Sequence, residues 1–338
     1  MGDAPLIVNC SRYAQDGQGG YFADRLSDRV RQIEFGPLGV TGLAARIRRP
    51  DLAGWLACRR ATRTARSEQA ALLLSHDPHL TYRCELFQGR QRVRHLAHAF
   101  NFPYVPSGPK LKLLRHALRH VEDLVVFTRY EAGLYSDLLA LPVERFHPIR
   151  WGVQSPEVVD GSWQIPERPY VVAVGGNARD YPLLANVCRL CTDIDFVWVV
   201  RPENLNGIDV PNNVSVRANI PLDEVHALVA GSRFMVLPLL AGVISCGHVT
   251  LVMAMHLRRA VVITEAPGIN EYIEHNQRGL LVDPGSPTAM AEAVVDLWNN
   301  PDHTDQLGNA GKLFASEHCS ENATWRWYEN YLRSLSIL

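Results

Sequence analysis

PLLAGVISCGHVTLVMAMHLRRAVVIT, residues 238–264, followed by EAPGINEYIEHNQRGLLVDPGSPTAMAEAV, residues 265–294, decides the fold of this chain. Read in order it is the end of an apolar strand, a loop of small residues, a helix beginning near His248, a second β-branched strand, a turn and a third strand. Gly242, Ser245 and Gly247 leave room for close backbone approach in the loop. The amides at the helix start carry partial positive charge and suit phosphate oxygens. Thr250 adds a hydroxyl in the first turn. Such a loop has low specificity by itself, since small residues before a helix are common in α/β proteins.

Outward from this segment the same alternation continues. YVVAVGG (170–176), FVWVVRP (196–202), VSVRANI (214–220), FMVLPLL (234–240), AVVITEA (260–266) and GLLVD (279–283) read as short strands, with helical stretches between most of them. An open parallel α/β sheet is expected, its ligand lying beyond the carboxyl ends of the strands. Residues 286–299 open with a serine cap and Pro287, and Asn299-Asn300-Pro301 closes them. Residues 302–317 and 321–335 continue as helices, the last bearing Trp325, Trp327, Tyr328 and Tyr331. In the first half PLIVN (5–9), ALLLSH (71–76), VRHLAHAF (93–100), DLVVFT (123–128) and RFHPIRW (145–151) read as strands, with helices near 54–71, 110–122 and 131–140. At 338 residues two domains are expected: 1–151, a Pro, Gly and Ser-containing linker at 152–168, and 169–338.

The order of SCGHVTLVMAM, RRAVVIT, PGINEYI and GLLVDPGS resembles the sugar-nucleotide domain of GT-B glycosyltransferases, in particular the retaining family 4 group. That family reads as a glycine-containing loop, a helix close to LLEAMA-x-GKPVV, then GG-x-x-E and G-x-LV-x-PGD. VAVGGNARDYPLL (172–184) and IPLDEVHALVAGSRFMVLPL (220–239) extend the likeness, which covers roughly residues 150–335 and fades over the first half. It implies an α/β protein of two Rossmann-like domains with a cleft between them. The implied activity is transfer of a sugar from a uridine or guanosine diphosphate carrier to a saccharide or lipid-linked acceptor, without a metal or further cofactor. The last helix would cross back to the first domain.

Carried over residue by residue, the resemblance makes Arg179 the phosphate-binding base, Gly247 and Thr250 the helix-start anion site, and Glu271 a neighbour of the sugar or a residue of the interdomain cleft. The family's two glutamates, seven residues apart, fall at Ser245 and Met253, and its GKP becomes Arg258-Arg259-Ala260. Methionine packs against a nucleoside but accepts no ribose hydrogen bond; Glu265 is the nearest replacement. These departures leave stereochemistry open and keep a second reading alive, a catalytically silent GT-B protein that binds a nucleotide or glycan as a partner subunit. A sugar-nucleotide epimerase shares the fold, but paired acid and base carboxylates are not evident in the second half.

On the acceptor side, SHDPH (75–79) and HAFNF (98–102) each follow an apolar strand. His98 resembles the histidine that family members place after a strand of the first domain, and Asp77 is the nearest general base; structural histidines at strand ends are the competing reading. DGQGGYF (16–22) reads either as a flexible loop over the ligand or as a plain turn. Three other patterns carry less: Asp193-Ile194-Asp195 leads straight into a strand, Cys188 and Cys191 lack a second ligand pair, and Gly17, Gly19 and Gly20 have the wrong spacing for a dinucleotide loop.

Charge is divided unevenly. Residues 1–150 hold 22 basic and 14 acidic residues, +8; the remainder holds 12 and 21, −9. An anionic partner for the first half is the expectation, a membrane surface rather than nucleic acid, against the plain reading of a solvated arginine-rich face. Residues 44–66 and KLKLLRHALRH (110–120) concentrate this charge. In the latter Leu111, Leu113, Leu114, Ala117 and Leu118 line one face, flanked by Lys110, Lys112, Arg115 and Arg119. Seven scattered cysteines argue for reduced thiols, mostly small core residues. No apolar run reaches membrane-spanning length and the start lacks a signal-peptide layout, so a cytoplasmic protein, peripheral at the inner face of a membrane, is expected.

Overall fold

The computed structural model describes residues 4–12, 23–26, 29–37 and 50–338. Loop 16–22, with Gly17, Gly19 and Gly20, and residues 44–49 of the first arginine-rich stretch lie outside these. The chain forms two compact units, one of Met1–Ile149 with Arg326–Leu338 and one of Arg150–Trp325. Residues 152–168 are counted in the second unit and carry no helix or strand beyond a bridge from Val153 to Ser320.

Each unit is built on a parallel six-stranded sheet. The first sheet contains β1 (Leu6–Cys10), β2 (Arg31–Phe35), β3 (Leu72–His76), β4 (His95–His98), β5 (Asp123–Val126) and β6 (Phe146–Pro148) in the order β2-β1-β3-β4-β5-β6. The second contains β7 (Tyr170–Val174), β8 (Asp195–Val200), β9 (Val214–Ala218), β10 (Met235–Leu237), β11 (Val261–Thr264) and β12 (Leu280–Val282) in the order β12-β11-β10-β7-β8-β9. The chain winds outward from β7 in one direction and from β10 in the other. The switch point between these two strands is where an open α/β sheet takes its ligand.

Alternation along β7 distributes its side chains to two cores. Val171 and Ala173 pack with the helices Tyr181–Leu190 and Pro287–Asn299, whereas Val172 and Val174 join the helices Leu222–Gly231 and His248–His256. Burial on both faces explains why these strands read as continuous apolar runs. Caps fix the helix starts as the sequence suggests. The Ser286 hydroxyl accepts from the Ala289 amide at 3.2 Å, and the Asp180 carboxylate from the Leu183 amide at 3.0 Å.

Besides the short helix Ala23–Leu26, a strand and a longer helix escaped the sequence reading. β2 is an edge strand, RQIEF, whose Arg31 and Glu34 break the apolar pattern; Glu34 is nevertheless buried, accepting from Asn9 Nδ2 at 2.6 Å. The helix Pro78–Gln88 has no clean apolar stripe because its inward face carries Arg83, Glu85 and Gln88. Glu85 is satisfied by Arg92 at 2.6 Å and by His95 Nδ1 at 2.6 Å, and His95 Nε2 meets the Ser75 hydroxyl at 2.8 Å. This serine–histidine–glutamate chain is fully enclosed, so it locks the helix to β3 and β4 and has no access to a substrate.

The last helix, Glu321–Ser334, passes from one unit to the other between Trp325 and Arg326. Its later residues are fastened within the first unit: Tyr331 donates to Asp123 Oδ2 at 2.6 Å, and Asp123 also holds Arg94 and His147 at 2.7 Å each. In the helix Gly108–Leu118, Leu114, Ala117 and Leu118 are buried and Leu113 stays exposed, so most of the apolar face proposed for a surface is used in packing. No helix among the described residues is long and apolar enough to cross a membrane.

Candidate functional site

At the β7/β10 switch point the segment after β7 reads Gly175-Gly176-Asn177-Ala178-Arg179. Two arginine side chains lie close against its glycines. Gly175 has φ +116°, and a Cβ there would meet Arg179 Nη2 at 2.7 Å; a Cβ on Gly176 would meet the Arg201 side chain at 2.8 Å. Arg179 turns back under this loop and is only 8 % exposed. Its Nε donates to the Val174 carbonyl at 3.1 Å, Nη1 to the Asn177 carbonyl at 2.8 Å and Nη2 to the Thr250 hydroxyl at 2.9 Å.

All three acceptors are neutral. Among the described residues no carboxylate pairs with Arg179, and burial lowers its pKa from the ordinary arginine range. A buried guanidinium held only by carbonyls and a hydroxyl retains N–H donors and an uncompensated charge. It is therefore a strong potential anion site, at the place where the topology favours a ligand.

The partner element is the helix His248–His256. Gly247 caps it with φ +93°, a conformation glycine takes without a Cβ penalty. Thr250 lies in its first turn and is buried against Arg179. His248, the first helical residue, stacks on Tyr272 with centroids 5.5 Å apart at 16°. Burial, and secondarily the Arg179 charge, lowers its pKa to about 4, so the imidazole is neutral at pH 7. The first turn thus adds no proton charge of its own.

Other expected residues are distributed around this centre. Gly242 is exposed, and a Cβ there would meet the Leu240 carbonyl oxygen at an ordinary 3.9 Å. The buried Ser245 hydroxyl donates to the Pro267 carbonyl at 2.7 Å and ties the loop to the segment after β11. Met253 is partly buried against the core of the second unit. Glu265 is exposed just past β11, its amide bonded to the Val282 carbonyl at 2.8 Å. Glu271 ends the short turn Ile269–Glu271, where its carbonyl accepts from Arg150 Nε at 3.2 Å. Arg179, Gly247 and Thr250 thus come together at the switch point, while Glu265 and Glu271 lie on the segment that follows β11. Sequence reasoning missed His248 and Arg201. The latter follows β8 and donates to Asn177 Oδ1 at 2.9 Å, adding a second cation to the same loop; its signal was an arginine directly after a buried strand.

In the first unit, His98 is the last residue of β4 and Asp77 follows β3, so both stand at the carboxyl edge of that sheet. The Asp77 amide donates to the His98 carbonyl at 3.0 Å. Asp77 caps the helix Pro78–Gln88: Oδ1 accepts from the His79 and Leu80 amides at 2.6 and 3.0 Å, and Oδ2 from Arg12. His98 is buried, hydrogen-bonds Tyr328 through Nδ1 and packs edge-on to His76 at 4.9 Å. Burial and the neighbouring His76 hold His98 well below the ordinary histidine range. Cys188 and Cys191 are buried in the apolar core of the second unit.

Comparison with known proteins agrees with this architecture. Residues 181–300 match the family described as glycosyl transferases group 1. Alpha-D-kanosaminyltransferase of Streptomyces kanamyceticus is 23 % identical over 229 residues, and the match spans 60 % of this chain and 58 % of that relative. Among solved structures, sucrose-phosphate synthase of Thermosynechococcus elongatus superimposes with a TM-score of 0.74 at 14 % identity, covering 99 % of this chain and 100 % of that one. HepE of Anabaena in complex with UDP-glucose gives 0.71 at 14 % identity, covering 97 % and 99 %. The fold is α/β with two parallel six-stranded sheets, of GT-B type, and the family likeness lies in its second unit.

Proposed function

We propose that this chain is a glycosyltransferase that takes a sugar from a nucleoside diphosphate carrier, with the diphosphate seated on Arg179 and the start of the helix His248–His256. One observation carries the reading: Arg179 is buried at the switch point with three neutral acceptors and, among the described residues, no carboxylate. Departure of the nucleoside diphosphate builds negative charge on its outer phosphate. A fixed guanidinium, the Thr250 hydroxyl and helix-start amides stabilise that charge without a divalent cation. The UDP and UDP-glucose bound by HepE favour uridine over guanosine as the base.

Met253 and Glu265 would then border the nucleoside and Glu271 the sugar. The first unit would receive a saccharide or lipid-linked acceptor at the carboxyl edge of its sheet, where His98 and Asp77 stand. Retention of anomeric configuration is the expected outcome, by resemblance to the retaining group. The test is nucleotide release from a panel of UDP- and GDP-sugars, with and without simple saccharide acceptors. Release lost in Arg179→Met sustains the proposal. Tight nucleotide binding with no turnover on any acceptor favours the silent partner reading, and absence of nucleotide binding overturns both.

A further inference from the structure

Far apart in sequence, Cys10, Cys58 and Cys84 converge in the first unit. Cys10 ends β1, Cys58 lies in the helix Pro50–Ser67 and Cys84 in the helix Pro78–Gln88. All three are fully buried, and their sulfur atoms lie within 4.8 Å of one another, with Cys10 and Cys58 at 3.8 Å. We infer that these three thiols form a binding site for one soft d10 metal ion, with Cu(I) the best fit.

Geometry carries this assignment. Metal–sulfur bonds of about 2.3 Å in a trigonal plane set sulfur atoms roughly 4.0 Å apart; Cys10 and Cys58 at 3.8 Å are already near that spacing, and with all three within 4.8 Å only a small adjustment is needed. Zn(II) in structural sites takes four ligands. Among the described residues no fourth histidine, cysteine or carboxylate joins this group, and soft thiolates suit Cu(I). Charge is partly balanced as well: Arg83, itself buried and lying over Trp55 at 5.3 Å, acts on Cys58 electrostatically, against a smaller contribution of opposite sign from Asp77. Binding exchanges thiol protons for the ion and involves no change of oxidation state. The ion would join β1 to two helices as a structural clamp.

The test uses the whole reduced protein under anaerobic conditions, titrated with Cu(I) in competition with bicinchoninate and, separately, with Zn(II) and Cd(II). One Cu(I) per chain, with near-ultraviolet thiolate charge-transfer absorption, is expected. Uptake should be lost in Cys10→Ser, Cys58→Ser and Cys84→Ser but kept in Cys188→Ser. Native mass spectrometry of the unmodified protein reads the same stoichiometry without a variant, should a substitution prevent folding. A preference for Zn(II) retains the site and replaces the ion. A folded protein that takes up none of the three ions, or that shows the mass of a Cys10–Cys58 disulfide and no metal, overturns the assignment.

Discussion

Arg179 and Thr250, seventy-one positions apart, meet at 2.9 Å and join the loop after β7 to the first turn of the helix after β10. The guanidinium stays buried with its charge unmatched, which is unfavourable for folding and useful for holding an anion. Arg179→Met should therefore separate the two effects. UDP affinity should fall by about 1.5–3 kcal/mol, the range of a charge-assisted hydrogen bond, when measured by calorimetry. The melting temperature should hold or rise. Unchanged affinity would remove Arg179 from the phosphate site.

Gly175 acts through the same arginine. Its φ of +116° and the 2.7 Å approach of Arg179 Nη2 leave no space for a Cβ. Gly175→Ala should cost about 1–3 kcal/mol of stability through backbone strain and displace the guanidinium. In a double-mutant cycle with Arg179→Met the losses in UDP affinity should be strongly non-additive, because both remove one contact. Additive losses would show that the glycine serves the ligand by a separate route.

How far the sequence revealed this depends on which physical signal each residue leaves. Strands β7, β8, β10 and β11 are buried on both faces and write themselves as apolar runs, so the second unit was readable nearly element by element. β2 was not, since Glu34 finds its partner in Asn9, twenty-five positions away, and nothing local announces the pair. Arg179 and Thr250 were legible through motif order, but the absence of a carboxylate beside Arg179 exists only in three dimensions. Asp77 illustrates the opposite case. As a carboxylate after a strand it suggests a base, yet the Pro78 that follows also makes it a helix cap, and the structure gives its oxygens to two amides and Arg12. The cysteine trio left no trace in spacing.

His248 should make stability sensitive to acid. Its pKa is about 4 in the folded chain against an ordinary 6.5, so below pH 6.5 the unfolded chain binds the extra proton. The stability is complete above that pH and is lost as pH falls towards 4. Between pH 7 and pH 5 the loss is about 2 kcal/mol from this residue. His76, also lowered to about 4 by burial, acts in the same direction, while Glu131, raised to about 7 by burial, opposes both over the overlapping range. His248→Phe keeps an aromatic ring against Tyr272. Denaturant unfolding of this variant should show a smaller pH 7 to pH 5 difference by about that amount, and an unchanged difference would mean the imidazole is protonated in the fold.

The basic first half makes a separate prediction. Lys110, Lys112, Arg115 and Arg119 are exposed along and just past the helix Gly108–Leu118, beside Leu113 and Tyr104, which are 47 % and 52 % exposed. Leu114, Ala117 and Leu118 are committed to the core, so attraction to an anionic lipid surface would be electrostatic with little insertion. Binding to anionic vesicles should weaken as salt shortens the Debye length from roughly 10 Å at 0.1 M to about 3 Å at 1 M. Each basic side chain near such a surface contributes about 1 kcal/mol. Replacing Lys112, Arg115 and Arg119 together should then lower vesicle binding by roughly two orders of magnitude while UDP affinity in the other unit stays intact. Arg115 and Arg119 also hold neighbouring groups, through the Leu138 carbonyl and His116, so circular dichroism must first show the triple variant folded. Equal binding to neutral and anionic vesicles at every salt concentration would exclude the docking surface and direct the search for an acceptor to soluble saccharides.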